Sequence, residues 1–143
     1  MPEKKTIERA RRDKAQGKSP STQAGEFVKE EMEHIRGGKH GARSTKQAIA
    51  IGLSKARRSG VKLPPRGSKA TRAKARRDMS RRKRRPSARR SRGVERALRR
   101  EPRSSASRAA LSRQARSAAR RRPKAARKAA ARKAARTRKA HGR

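Results

Sequence analysis

The sequence predicts a mainly α-helical protein in two parts. Residues 1–65 are expected to form a small module, a short helical hairpin of two or three helices. Residues 66–143 are expected to form a long basic tail of low complexity, disordered or transiently helical when free. The tail carries 33 Lys or Arg residues against three acids, a net charge of +30 out of +39 for the whole chain. Uncompensated charges of one sign repel each other and oppose compaction.

The composition limits how much of the chain can fold around a core. Only 29% of the residues are hydrophobic, and Phe27 is the single aromatic residue. So little apolar surface cannot offset the entropy of ordering 143 residues, so only a small structured part is expected. Cysteine is absent, which excludes disulfides and thiolate metal sites. No stretch approaches the roughly 20 apolar residues of a membrane span and no secretory signal is visible, so a cytoplasmic protein without membrane contact is expected.

Three helices are predicted in the first 65 residues. The first, 6–16, has little to bury and ends at Gly17. The second, 20–36, has Ser19 as its cap and Pro20 at its first position. Its acids Glu26, Glu30, Glu31 and Glu33 are expected to form a solvated face.

The third helix, 45–58, carries the clearest start signal. Ser44 followed by Gln47 matches a capping box, and Val61 and Leu63 are expected to fold back onto the helix. A hairpin of the second and third helices would have a thin core, and domains this small are marginal, so a homodimer through these helices is a possible remedy. The predicted core is Phe27, Val28, Met32, Ile35, Ile49, Leu53 and Leu63.

The segment from Gly38 to Gly60 contains Ser-Thr-Lys-Gln-Ala-Ile-Ala-Ile-Gly-Leu at residues 44–53. It resembles a small family of bacterial basic proteins of unknown function that share this motif. The resemblance implies a bacterial origin, and it transfers no catalytic residue.

The tail resembles the Lys/Ala-rich tails of linker histones and of bacterial histone-like proteins. Its 26 Arg and seven Lys shift the comparison towards protamine-like or ribosomal-extension chemistry, because a guanidinium forks onto phosphate. The preference of GC-rich genomes for Arg and Ala codons explains the ratio of Arg to Lys equally well. Residues 94–100, 105–122 and 123–140 are pieces that could become helical, since Ala and Arg favour helices. We expect self-repulsion to keep them unfolded until phosphates remove it.

These observations predict a non-enzymatic, nucleoid-associated and histone-like protein that binds DNA largely without sequence preference. The first alternative is an RNA-binding or ribosome-associated basic protein, which charge alone does not separate from a DNA binder. The second is a protein-interaction module that a basic tail localises. A helix-turn-helix with 45–58 as its recognition helix is disfavoured, because the preceding loop is long and the partner helix is acidic.

Three groups of bases are candidate phosphate ligands. Lys39, Arg43 and Lys46 flank the predicted start of the third helix, where free N–H groups favour an anion, although an ordinary turn with solvated bases explains them equally well. Arg57 and Arg58 end that helix. The tail candidates are Arg81, Arg82, Lys83, Arg84, Arg85, Arg89, Arg90, Arg120, Arg121, Arg122, Lys124, Arg127, Lys128, Arg132, Lys133 and Arg136.

No catalytic, cofactor or metal site is predicted. The histidines His34, His40 and His141 form no His-x-x-x-His pair, and no carboxylate is spaced along the sequence to complete a ligand set. Solvated or phosphate-facing histidines are therefore the expectation.

Overall fold

The computed structural model describes residues 1–81, 85 and 87–142, and within them the chain is all-helical. A short 3₁₀ turn, Ser104–Ala106, precedes the last two α-helices. The α-helices in chain order are α1 Lys4–Ala15, α2 Pro20–Arg36, α3 Thr45–Arg58, α4 Lys69–Ser80, α5 Ala88–Arg99, α6 Arg108–Arg120 and α7 Lys124–Ala140.

The chain divides into two compact units. The first, Met1–Ser107, contains α1 to α5 and the 3₁₀ turn, and the second, Arg108–Arg143, contains α6 and α7. In the first unit α1 packs on α2, α2 on α3, and α3 on α4, while the 3₁₀ turn contacts both α2 and α3.

The helix signals at α2 and α3 are confirmed. The Ser19 side chain accepts a hydrogen bond from the Thr22 backbone at the start of α2. At the start of α3, Ser44 Oγ accepts from Gln47 N at 3.2 Å, and Gln47 Oε1 in return accepts from Arg43 N at 2.7 Å. These bonds satisfy amides that a helix start otherwise leaves without a partner, which explains why α2 and α3 begin where predicted.

The end of α3 directs the chain back onto the core, as predicted. Gly60 adopts a φ of +96°, a conformation that favours glycine. The next residue, Val61, donates its N–H to Ala56 O at 3.0 Å. This Schellman-type end buries Val61 and Leu63.

The core surrounds Phe27, which is 1% exposed. Ile7 of α1 packs against this core and Ala10 of α1 belongs to it, so α1 adds a third helix to the hairpin. Of the predicted core residues, Phe27, Met32, Ile35 and Leu63 are buried, and Val28, Ile49 and Leu53 are half-buried.

The prediction of a short hairpin with a disordered tail is wrong. The tail forms helices α4 to α7, two of which match the predicted pieces 105–122 and 123–140 closely. Helix propensity and local caps prevail over repulsion: Ser68 caps α4 by accepting from Thr71 N at 3.2 Å, and Pro123 precedes α7. Screening by salt limits repulsion between exposed charges to about 8–10 Å.

Two tail acids join the tail to the N-terminal helices. Asp78 of α4 is buried, accepts a hydrogen bond from Ser54 Oγ at 2.8 Å and pairs with Arg58 Nη2 at 3.3 Å. Glu101 lies 3.9 Å from Arg43 Nε. Two of the three tail acids therefore face bases of the first 65 residues, whereas Glu95 pairs with Arg99 within α5.

Residues 98–106 dock onto the loop before α3, largely through backbone atoms. Gly41 N donates to Leu98 O at 2.8 Å, and Ala42 N donates to Pro102 O at 3.1 Å. Thr45 Oγ1 donates to Ser105 O at 2.6 Å. Because backbone groups look the same in every sequence, composition gives no warning of this docking.

The solvated acidic face predicted on α2 is also wrong. Glu31 is fully buried and Glu30 is 2% exposed, while Glu26 pairs with Arg9 Nε at 3.1 Å. Of the four acids only Glu33 is exposed.

None of the helices within the described residues is long and apolar enough to cross a membrane.

Candidate nucleic-acid interface

The second unit is an exposed basic surface. Its sequence, 108–143, holds 15 Lys or Arg residues and no acid. Neither α6 nor α7 buries a residue. No Asp or Glu of the same unit neutralises these charges. The predicted site residues in this unit are all exposed: Arg120, Arg121, Arg122, Lys124, Arg127, Lys128, Arg132, Lys133 and Arg136.

Helix α7 carries bases along its whole length and over a broad arc of its surface. It has 17 residues, eight of them basic, and spans about 25 Å at about 1.5 Å per residue. Over that distance duplex DNA presents about 15 phosphates. The phosphates along such a stretch outnumber the eight bases of α7.

Helix α5 and the chain before it add exposed bases to the first unit. The predicted residues Arg81, Arg85, Arg89 and Arg90 are exposed. Arg82, Lys83 and Arg84, which were also predicted, lie outside the described residues. Arg99 donates to Glu95 Oε1 at 2.7 Å within α5.

The N-terminal candidates are partly engaged within the chain. Lys39 Nζ lies 3.1 Å from Glu3 Oε1, and Arg43 and Arg58 face tail acids as described above. Arg57 is half-buried, and Lys46 is exposed. Neutralisation by carboxylates of the same chain weakens the attraction of these bases for phosphate.

The predicted anion position at the start of α3 is partly covered. The Gly41 and Ala42 amides are bonded to residues of the docked segment, and Thr45, the first residue of α3, is buried. α3 also packs between α2 and α4. Ser44 and Lys46 beside Thr45 stay exposed, so the start of α3 is covered only in part.

A basic groove that the sequence did not indicate lies beside this loop. It has a volume of about 560 Å³ and includes Lys39, Arg99 and Arg103 in its lining, with Glu101 as its acid. Arg99 and Arg103 are 60 or more residues from Lys39 in sequence, and only the docking of residues 98–106 brings them together. No local motif signals such a groove.

A partly buried cluster of Glu31, His34 and His40 is a second site that was not predicted from the sequence. One ligand atom from each residue lies within 4.8 Å of the other two. His40 Nε2 lies 3.1 Å from Glu31 Oε1, and Lys55 Nζ lies 2.6 Å from Glu31 Oε2. The Glu-x-x-His spacing of Glu31 and His34 is a sequence signal that could have pointed to this cluster, because residues three apart share a helix face.

Glu3 contacts this cluster through His34. Its Oε1 accepts from His34 Nε2 at 2.9 Å and from Lys39 Nζ at 3.1 Å. The hydrogen bond with His34, followed by the bond and charge of Lys39, lowers the pKa of Glu3 from 4.5 to about 2. The Glu3 carboxylate is therefore ionised at neutral pH.

Residues 4–67 match a family of unknown function (DUF6496). The matched range covers α1 to α3, including residues 44–53, and ends before α4. No curated protein and no solved structure gives a significant match to the chain.

Proposed function

We propose that the protein is a non-enzymatic, largely sequence-nonspecific DNA-binding protein of the bacterial nucleoid. The observation that supports this proposal most directly is the charge and exposure of residues 108–143: 15 bases, no acid, and two helices that bury no residue. Phosphate neutralisation by such a surface releases counterions from DNA, which drives binding without base recognition.

The expected lack of sequence preference follows from the kinds of side chain present. Phe27, the single aromatic residue, is buried in the core and cannot stack on a base. The exposed bases of α6 and α7 suit phosphate contacts, which position a protein on DNA but carry no direct sequence information.

Helices that are already formed change how binding should proceed. A tail that folds on binding would lose part of its binding free energy to ordering, whereas α6 and α7 need only dock. We therefore propose that the second unit binds as a preformed helical surface.

The test measures affinity for several unrelated duplexes as a function of salt. If about ten bases contact phosphates, log affinity should fall with a slope of about −9 against log salt, with little difference between sequences. The variant R127Q/K128Q/R132Q/R136Q removes four charges of α7 and should make the slope shallower by about 3.6, at about 0.9 for each contact. A matched control, K124R/K128R/K133R/K139R, keeps the charge and the helix and should leave the slope unchanged.

Two outcomes would contradict this proposal. A slope that the four-Gln variant does not change would exclude α7 as the phosphate-binding element. Preference for a structured RNA over duplex DNA in direct competition would favour the RNA-binding alternative instead.

A further inference from the structure

We propose that the Glu31–His34–His40 cluster binds a divalent transition-metal ion, with zinc as the best match. Glu31 and His34 lie three residues apart on α2, so both point from one helix face, and His40 reaches the same point from the following loop. Helical metal proteins use this Glu-x-x-His spacing to present a carboxylate and an imidazole to one ion.

The hydrogen bonding of His40 prepares its ring for a metal. His40 Nδ1 lies 3.0 Å from the backbone oxygen of Gly41, and because a carbonyl oxygen only accepts, Nδ1 must carry the hydrogen. A neutral His40 then has a lone pair on Nε2, which lies 3.1 Å from Glu31 Oε1. Nε2 of a neutral His40 and Oε1 of an ionised Glu31 are both acceptors, so at 3.1 Å they need a cation between them, either a proton or a metal ion. Metal-binding histidines commonly donate their other nitrogen to a backbone carbonyl in this way.

The burial of Glu31 adds an independent reason for a cation. Glu31 is fully buried, and neither of its oxygens receives a well-aligned hydrogen bond, although Lys55 Nζ and His40 Nε2 are close. Glu30, also buried, has its Oε1 3.8 Å from the same Lys55 Nζ. Two buried carboxylates against one ammonium leave one negative charge when the imidazoles are neutral, and an uncompensated buried charge is costly.

The distances and ligand types suit zinc. At zinc–ligand bonds of 2.0–2.2 Å, the ligands of a tetrahedral site lie about 3.4 Å from one another. The Glu31–His40 pair is already at 3.1 Å, and all three ligand atoms lie within 4.8 Å. His34 would bind the ion either through Nδ1 or through Nε2 after giving up its 2.9 Å hydrogen bond to Glu3 Oε1. Two imidazoles and one carboxylate are a common zinc ligand set that leaves a fourth position for water. Lys55 remains on the other oxygen of Glu31.

The experiment uses the full chain after nuclease treatment and a high-salt column, so that metal held by nucleic acid is removed. The chain has no Trp or Tyr, so residual absorbance at 260 nm reports remaining nucleic acid. Zn²⁺ is added, the excess is dialysed away, and bound zinc is measured by mass spectrometry. Co²⁺ is bound in parallel, because tetrahedral Co²⁺ absorbs intensely in the visible range. The variants are His40→Gln, His34→Gln and the control His141→Gln, which removes an exposed histidine of the second unit.

The proposal predicts one equivalent of zinc and a visible Co²⁺ band in the natural chain and in His141→Gln. His40→Gln and His34→Gln should each bind zinc at least ten-fold more weakly, while circular dichroism shows unchanged helix content. Zinc should also raise the melting temperature of the natural chain and not that of His40→Gln. Less than stoichiometric zinc in the natural chain, or equal zinc in all four proteins, would overturn the proposal and assign the cluster to a proton shared between His40 and Glu31.

Discussion

Two glycines in neighbouring helices have opposite surroundings. A methyl group on Gly25 of α2 would meet no atom within 4 Å, whereas one on Gly52 of α3 would lie 2.7 Å from the Cα of Val28. Gly25 therefore serves no packing purpose in the described structure, while Gly52 allows α2 and α3 to approach closely.

Alanine at these two positions should shift stability in opposite directions. Gly25→Ala should stabilise the first unit by about 0.5–1 kcal/mol, because alanine has the higher helix propensity and restricts the unfolded chain. Gly52→Ala should destabilise it by about 1–3 kcal/mol, because the backbone of α2 would have to move. Thermal unfolding followed by circular dichroism measures both, and a stabilising Gly52→Ala would contradict the close approach of the helices.

Helix α4 packs on α3 and has two buried residues, Ala75 and Asp78. A buried aspartate in a basic tail is unexpected from composition alone. Its hydrogen bond from Ser54 and its ion pair with Arg58 compensate its burial and fix the helix in place.

Replacing Asp78 of α4 and replacing Glu95 of α5 should therefore have very different effects on stability. Asp78→Ala should cost about 2 kcal/mol of stability, because it removes a charge-assisted hydrogen bond and an ion pair at a buried position. Glu95→Ala, which removes an exposed i, i+4 pair with Arg99, should cost no more than about 0.5 kcal/mol. Denaturant unfolding of both variants decides this, and equal effects would mean that α4 is not held by Asp78.

Local signals sufficed for α2 and α3, because Ser19, Pro20 and Ser44 act within a few residues of their own position. The docking of residues 98–106 could not be predicted from the sequence, because it depends on backbone atoms of residues such as Gly41 and Leu98. The buried acids were misassigned for a related reason. The sequence alone suggests that Glu31 is solvated, because Lys55 and His40, which the fold places beside it, lie outside α2.

The whole molecule has a net charge of +39 and is nevertheless helical over most of the described residues. α1, α4 and the 3₁₀ turn enlarge the core that the hairpin alone would have, which lessens the need for a partner chain. The homodimer stays a prediction that light scattering can test.

Salt should stabilise this fold. With 49 bases against ten acids, repulsion outweighs the few ion pairs, and the Debye length falls from about 30 Å at 0.01 M salt to about 8 Å at 0.15 M. The melting temperature measured by circular dichroism should therefore rise with sodium chloride in the absence of nucleic acid. The four-Gln variant of α7 should show a smaller rise, and a melting temperature that falls with salt would contradict dominance by repulsion.

Gly41 links two parts of the sequence that could otherwise change independently. A side chain at this position would overlap the carbonyl oxygen of Glu101, which belongs to the docked segment outside the family-matched residues 4–67. Because residues 98–106 dock mainly through backbone atoms, their side chains can vary. A residue without a side chain is needed at position 41 only where such a segment docks. Among related sequences, glycine at this position should therefore be inherited together with a downstream extension, and chains that lack the extension should be free to carry a larger residue there.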